Sequence, residues 1–292
     1  MELSRRMQAV ADLLPYGHVA ADVGCDHGFV SIYLIQKGIC PHVYAADVRP
    51  GPLQRAKEHI AASGLEDHIT TVLSDGLKEV PVGMTENFGQ GKERAGGSRG
   101  TGTVQGAEVM IAAGMGGKLT IRILSDVPEK TQQLIALVVE PQSEVWLVRR
   151  WLRDNGFVIT AENMVYEEGK YYPVIRAVNA SVKENAAAAK EARTRLQFLE
   201  EQMAAKGLTY KEIETVFDRF GPMLIWDKSV VLLSFLQHTI GKDNALLKEI
   251  PNVEKETAGE KAERLGQRIG ELKERIRLAG SVLKMLEKER SL

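Results

Sequence analysis

The chain has 292 residues, 44% of them hydrophobic and 26% charged, with a formal net charge of -1. Such proportions fit a globular protein with a sizeable core and exclude disorder along the whole chain. The near-neutral balance gives no whole-molecule attraction to nucleic acid or anionic membrane, so any polyanion must be met by a local basic patch.

The opening MELSRRMQAVADLLPYG reads as an amphipathic helix carrying Arg5 and Arg6, without the apolar core of a secretory leader. No stretch approaches the roughly 18 apolar residues of a membrane span. Cys25 and Cys40 are too few and too scattered for a disulfide framework or a zinc site. A cytoplasmic protein without a bound metal is expected.

Short apolar runs then alternate with helical patterns. HVAADV (18–23), HVYAADV (42–48), ITTVLSD (69–75), EVMIAAG (108–114) and LIALVVEP (134–141) read as buried strands. PGPLQRAKEHIAASGL reads as a helix with Pro52 in its first turn and Gly64 as its C-terminal cap. Apolar strands separated by helices predict an α/β fold with a doubly wound, mostly parallel sheet. FVITAENMVYEE and YYPVIRAV, joined through EEGK, predict an antiparallel hairpin at the sheet's edge.

Residues 83–106, GMTENFGQGKERAGGSRGTGTVQG, break the order as a Gly-rich polar insertion. It is a solvated loop, or an arm whose Lys92, Arg94 and Arg99 touch a phosphate backbone. It is not a P-loop, since no Gly-Lys-Ser/Thr follows its glycines.

Beyond residue 183 the strands stop. Ala262, Leu265, Ile269, Leu272, Ile276, Ala279, Leu283 and Leu286 form a heptad seam, and Ala189, Ala192, Leu196, Leu199 and Met203 form a shorter one. Together they predict a helical coiled-coil domain over 181–292, built as an antiparallel arm, after a first domain over 1–180. A seam between two chains has the same pattern, so the expected state is a monomer or weak dimer.

The chemistry-bearing residues cluster at strand ends, where open α/β sheets bind ligands. Asp22-Val-Gly24-Cys25-Asp26-His27-Gly28 follows the first strand with D-x-G-x-x-x-G spacing, which lacks the third glycine of a dinucleotide site. Asp47, with Val48 beside it, ends the second strand about twenty residues later, the offset at which a carboxylate accepts from both hydroxyls of a ribose. Asp75-Gly76 follows the third. An adenosine without pyrophosphate, met by two carboxylates, suits S-adenosyl-L-methionine better than NAD. Gly114 ends the fourth strand, and Met115, Gly116 and Gly117 read either as an open backbone shelf for a flat acceptor or as a tight strand-to-helix turn.

LSRRM, ADVGCDHG, VRPGPLQRA, LSDGL, AGMGG, RRWLRDNGF, EEGKYYPVI and FGPML, in this order, resemble the TrmK family of bacterial tRNA (adenine-N1)-methyltransferases. The resemblance implies a class I methyltransferase domain with a seven-stranded sheet, a coiled-coil domain after it, S-adenosyl-L-methionine as cofactor and tRNA as partner, methylated at N1 of adenine 22. It departs at Cys25, Gly28, Ser31, Asp47 and Glu140, the last standing where the family tends to have Gln. Asp26 is the expected catalytic residue. Asp22, Gly24, Cys25, His27, Gly28, Asp47, Val48, Asp75, Gly76 and Gly114 are expected at the cofactor. Arg5, Arg6, Met115, Gly116 and Gly117 are expected at the substrate, with further RNA contacts from Arg149, Arg150 and Arg153. A methyltransferase with another acceptor, and an RNA- or partner-binding scaffold with a vestigial cofactor site, are the competing readings.

Overall fold

Five short apolar strands determine the architecture, because each is flanked by helical sequence that must cover it. In a computed structural model, which describes residues 2–85, 104–250 and 260–290, the order is α1 (Arg5–Asp12), β1 (Ala20–Val23), α2 (Phe29–Gln36), β2 (Val43–Asp47), α3 (Pro50–Ala62) and β3 (Ile69–Leu73). Then come β4 (Met84–Thr85), β5 (Val104–Gln105), β6 (Val109–Met115), α4 (Gly117–Asp126), α5 (Pro128–Thr131) and β7 (Ala136–Pro141). Helix α6 (Val145–Asp154), β8 (Phe157–Glu167) and β9 (Lys170–Asn179) complete this part.

Seven strands pair in the order β3-β2-β1-β6-β7-β9-β8. The first five run parallel; β9 is antiparallel to β7 and to β8, which closes the edge with the expected hairpin. Every residue of β1, β2 and β7 is buried, as strands covered on both faces require. The chain winds from β1 outward to β3 and then returns to place β6 on the other side of β1. A crevice therefore opens at the carboxyl ends of β1 and β6, the switch point where such sheets bind ligands.

Local chemistry sets the helix ends. Ser4 caps α1 by accepting the Met7 amide; Pro50 opens α3, and Gly64 takes a left-handed conformation just past its end. The two ends of the 83–106 insertion pair with each other as the antiparallel β4 and β5. Lys92, Arg94 and Arg99 lie outside the described residues.

Two compact units emerge, Met1–Arg193 and Thr194–Leu292. The division falls later than 180/181, because the first half of α7 (Ala186–Ala204) stays with the sheet. Ala189 packs with Val109, Ala136 and Val178, and the Asn185 amide donates to the Ile135 and Asn179 carbonyls.

The second unit adds α8 (Tyr210–Phe220), α9 (Pro222–Trp226), α10 (Val230–Glu249) and α11 (Glu260–Arg290). The helix of the longer seam, α11, packs mainly against α10 and also against α8. Its Arg275 holds the buried Asp243 of α10, and its Arg277 meets Glu212 of α8. Ile276 and Leu283 of the expected seam are only half-buried, whereas Leu278, Val282 and Met285 join Leu272, Ala279 and Leu286 inside. A stripe this broad reaches two neighbours, α10 and α8.

Candidate active site

The carboxyl ends of β1, β2, β3 and β6 border one cleft of about 830 Å³, within the roughly 300–1,000 Å³ usual for small-molecule sites. The turn after β1 is its floor. The Gly24 and Cys25 amides both donate to the Ala46 carbonyl, at 2.8 and 3.0 Å, and the Gly28 amide donates to Cys25 at 2.7 Å. Gly24, Asp26 and Gly28 all take positive φ, at 78°, 49° and 73°. Non-glycine residues rarely do so, which marks Asp26 as held by its surroundings.

Asp22 lies beneath this turn. It is buried and accepts from Ser31 Oγ at 2.7 Å, tying β1 to α2. Burial, reinforced by the Asp47 charge and opposed by the Ser31 hydrogen bonds, pushes its carboxyl up to about 6. Cys25 is also buried and its thiol is pushed far upward by desolvation and the Asp22 charge, so it stays protonated. That leaves Cys25 without the thiolate a nucleophile needs. Asp26 is exposed, with its Oδ2 3.7 Å from His27 Nε2. The His27 ring stacks on Phe29 at 5.6 Å, and Phe29 on His59 at 4.8 Å. Gly28 does not line the cleft; it caps α2, where a Cβ would come 3.2 Å from that of Ala56.

At the end of β2, Asp47 is buried with Oδ1 accepting the Arg49 amide at 2.8 Å, and exposed Val48 adds an apolar wall. After β3, Asp75 is gripped by Arg122 through both oxygens, at 3.0 and 3.2 Å, and by Lys78 at 2.7 Å. Hydrogen bonds from these two cations hold its carboxyl down to about 2. Gly76, φ 67°, has no room for a side chain, since a Cβ would lie 2.8 Å from Ile123.

The end of β6 separates into two parts. Gly114 and Met115 border the cleft. Gly116 and Gly117 do not, which corrects the open-shelf reading. A Cβ on Gly117 would lie 2.5 Å from the Ser143 carbonyl and 2.9 Å from that of Glu144, so these glycines allow α4 to begin against the 143–144 backbone.

The cations divide as well. Arg6 lines the cleft, with its guanidinium 4.9 Å above the Tyr172 ring, while exposed Arg5 beside it does not. Arg149, expected at an RNA surface, is instead buried in an ion pair with Glu162 at 2.7 Å. Arg150 lies over Trp146, and Arg153 is 3.7 Å from Asp154. Among the described residues no cluster of His, Cys, Asp and Glu could hold a metal, and no helix is long and apolar enough to cross a membrane.

Sequence reasoning missed Arg122, Phe29 and Glu140 as neighbours of the site. Glu140 carried a signal: it is the one acid in the strand ALVVEP, all of whose residues are buried. Arg122 and Phe29 sit in helical patterns where nothing local distinguishes a cleft-facing position.

Residues 3–87 and 95–175 match the family model described as a methyltransferase domain. The chain is 29% identical over 177 residues to the tRNA (adenine(22)-N(1))-methyltransferase of Bacillus subtilis, a match spanning 61% of this chain and 65% of that protein. A Streptococcus pneumoniae protein, provisionally a tRNA (m1A22) methyltransferase, was solved with S-adenosyl-L-methionine. It is 25% identical, with a TM-score of 0.63 over 94% of this chain and 100% of that one. The crystal structure of Bacillus subtilis TrmK superposes with a TM-score of 0.70, covering 97% of this chain and 99% of that one at 24% identity, a likeness that speaks to the fold. With the family model matched across more than half of the chain, the chain belongs to the methyltransferase domain family.

Proposed function

We propose that the protein uses S-adenosyl-L-methionine to form N1-methyladenosine at position 22 of bacterial tRNA. The observation that carries this reading is the row of acids Asp22, Asp47 and Asp75, at the ends of three adjacent parallel strands around one cleft. The names of the relatives and the cofactor bound to one of them support it.

The residues present suit that cofactor. Asp47 is enclosed at the cleft wall, with its direction fixed by the Arg49 amide, as a carboxylate that accepts from two ribose hydroxyls must be. Gly24 keeps the floor low, since a Cβ there would lie 3.1 Å from Met115 Cε. Asp22 and the turn it supports would hold the amino-acid end, and the Asp75 edge would face the adenine. When bound, S-adenosyl-L-methionine supplies an electrophilic methyl group on a sulfonium sulfur.

N1 of adenine is a lone-pair nucleophile with no proton to lose, so the chain's main task is alignment, which can lower a barrier by roughly 7–11 kcal/mol. N1 also lies on the pairing edge, so the base must be unpaired or turned out to react. Methylation makes the ring cationic and its 6-amino group more acidic. Asp26, exposed at the cleft, stabilises that charge or accepts that proton. Arg6 contacts the RNA backbone from the cleft wall.

The test is tritium transfer from labelled S-adenosyl-L-methionine to unmodified tRNA, followed by nucleoside analysis. Label in N1-methyladenosine at position 22 is expected, and label on another atom would overturn the reading. Asp26→Ala should keep cofactor binding and lose about 100-fold or more in kcat. A normal rate from that variant would remove Asp26 from the chemistry.

A further inference from the structure

Glu140 is the acid near the cleft that the chemistry above leaves unused. Its side chain, near the end of β7, is wholly enclosed. Oε2 accepts the Gly114 amide at 2.8 Å and lies 3.9 Å from Arg6 Nη1. Oε1 has no hydrogen-bond partner among the described residues. A buried carboxylate with one oxygen unsatisfied weakens a fold, so packing alone gives no reason for an acid here. Its two contacts both lead to the cleft: Gly114 borders it through backbone, and Arg6 borders it with a guanidinium confined between Glu140 and the Tyr172 ring. An unrestrained arginine samples many rotamers, and ordering it beforehand spares that entropy when an anion arrives.

We propose that Glu140 is a positioning residue for methyl transfer: its charge holds the Arg6 guanidinium at the cleft wall, and its Oε2 fixes the Gly114 turn, so that the acceptor nucleotide's phosphate is received in one register. This rests on the tRNA methyltransferase reading. The ionised form is the working one, because a neutral side chain still accepts from Gly114 but no longer attracts Arg6. The charged and polar groups facing Glu140 are Arg6 from α1 and the Gly114 amide from β6. Burial pushes its carboxyl up to about 7, against the opposing pull of these two, so the holding charge forms across neutral pH.

Glu140→Gln, nearly the same size and still an acceptor for Gly114, is the discriminating variant. At pH 8 its kcat should fall about tenfold, with the KM for tRNA within about twofold of wild type, the signature of lost alignment. Wild-type kcat should decline as pH drops through about 7, and the variant should be flat there. In an Arg6→Ala background Glu140→Gln should change kcat by less than about twofold, because the two residues act as one unit. An unchanged kcat in the single variant, or an equal loss in both backgrounds, would overturn the proposal. If Glu140→Gln does not fold, Arg6→Ala alone decides: its kcat must fall and its acid limb must vanish, and a persisting limb defeats the idea. A readout without RNA or cofactor separates this from failure of the functional reading. The Arg6 Nε resonance of the free protein should shift with pH near 7 in wild type, and a signal constant across that range overturns the proposal even where methyl transfer is absent.

Discussion

Two glycine-bearing turns end neighbouring strands of the same sheet, and glycine answers a different demand in each. After β1, Gly24 and Gly28 are required by backbone conformation, at φ 78° and 73°. After β6, Gly114 has a similar φ of 78° at the cleft, but Gly116 has an ordinary φ of -69°, and Gly117 is required by what lies outside it. There the 143–144 backbone occupies the space a side chain would need. Gly24 and Gly114, which border the cleft, thus take positive φ, whereas Gly117 answers to close packing. Each turn is backed by a buried acid, Asp22 or Glu140, whose carboxyl is raised because desolvation exceeds the help of its partners.

The sharpest way to break this contrast is Gly117→Ala. Its Cβ would meet backbone carbonyls that cannot rotate away, so a loss of roughly 3 kcal/mol is expected from overpacking. Denaturant unfolding measures it, and a loss below about 1 kcal/mol would return the turn to the open-shelf reading. Gly24→Ala should be milder, roughly 1–2 kcal/mol for the left-handed backbone, since the terminal methyl of Met115 can swing aside. Its larger consequence should be weaker S-adenosyl-L-methionine binding in a calorimetric titration, an effect that Gly117→Ala at equal folded fraction should lack.

The acid behind the first turn gives a pH signature. Asp22 has a folded-state value of about 6 against an ordinary 3.8, so the folded protein holds its proton where the unfolded chain has lost it. Stability from this group is full below 3.8 and is lost as pH rises through about 6, a change of roughly 3 kcal/mol. Asp22→Asn keeps an acceptor for Ser31 and removes the titration. Unfolding free energies at pH 4 and 7 should therefore differ less in the variant than in wild type. An equal difference would show that Asp22 is not the desolvated acid.

Much of the fold was legible because its signals are local. Alternating buried strands and amphipathic helices need only composition and period, and Asp22, Asp47 and Asp75 announce themselves as polar residues ending apolar runs. The separation of Arg6 at the cleft from Arg5 outside it, the burial of Arg149 and the partner of α11 were not legible for one reason. Each depends on which surface another segment covers. Arg149 and Arg150 are adjacent in RRWLRDNG, yet Arg149 is buried against Glu162 of β8 while Arg150 lies exposed over Trp146. The heptads of α11 record an apolar face but not its neighbour, and residues one position off the seam, Leu278 and Val282, became core because α8 and α10 both lie against it.

Asp75 supplies the smallest expected effect and the opposite sign. It ends a neighbouring strand like Asp22, yet it is partly exposed and gripped by Arg122 and Lys78, so its carboxyl is lowered to about 2. The stabilisation from this group is present above 3.8 and is lost as pH falls through about 2. Arg122→Ala removes the bidentate partner and leaves Lys78. The Asp75 titration, followed by carboxyl carbon NMR, should move up toward the ordinary range, while stability at neutral pH changes little because the pair is solvent-screened. Added salt should shrink even that difference. If the titration stays near 2 in Arg122→Ala, Lys78 alone sets it, and Arg122 is free to serve the cleft instead of the carboxylate.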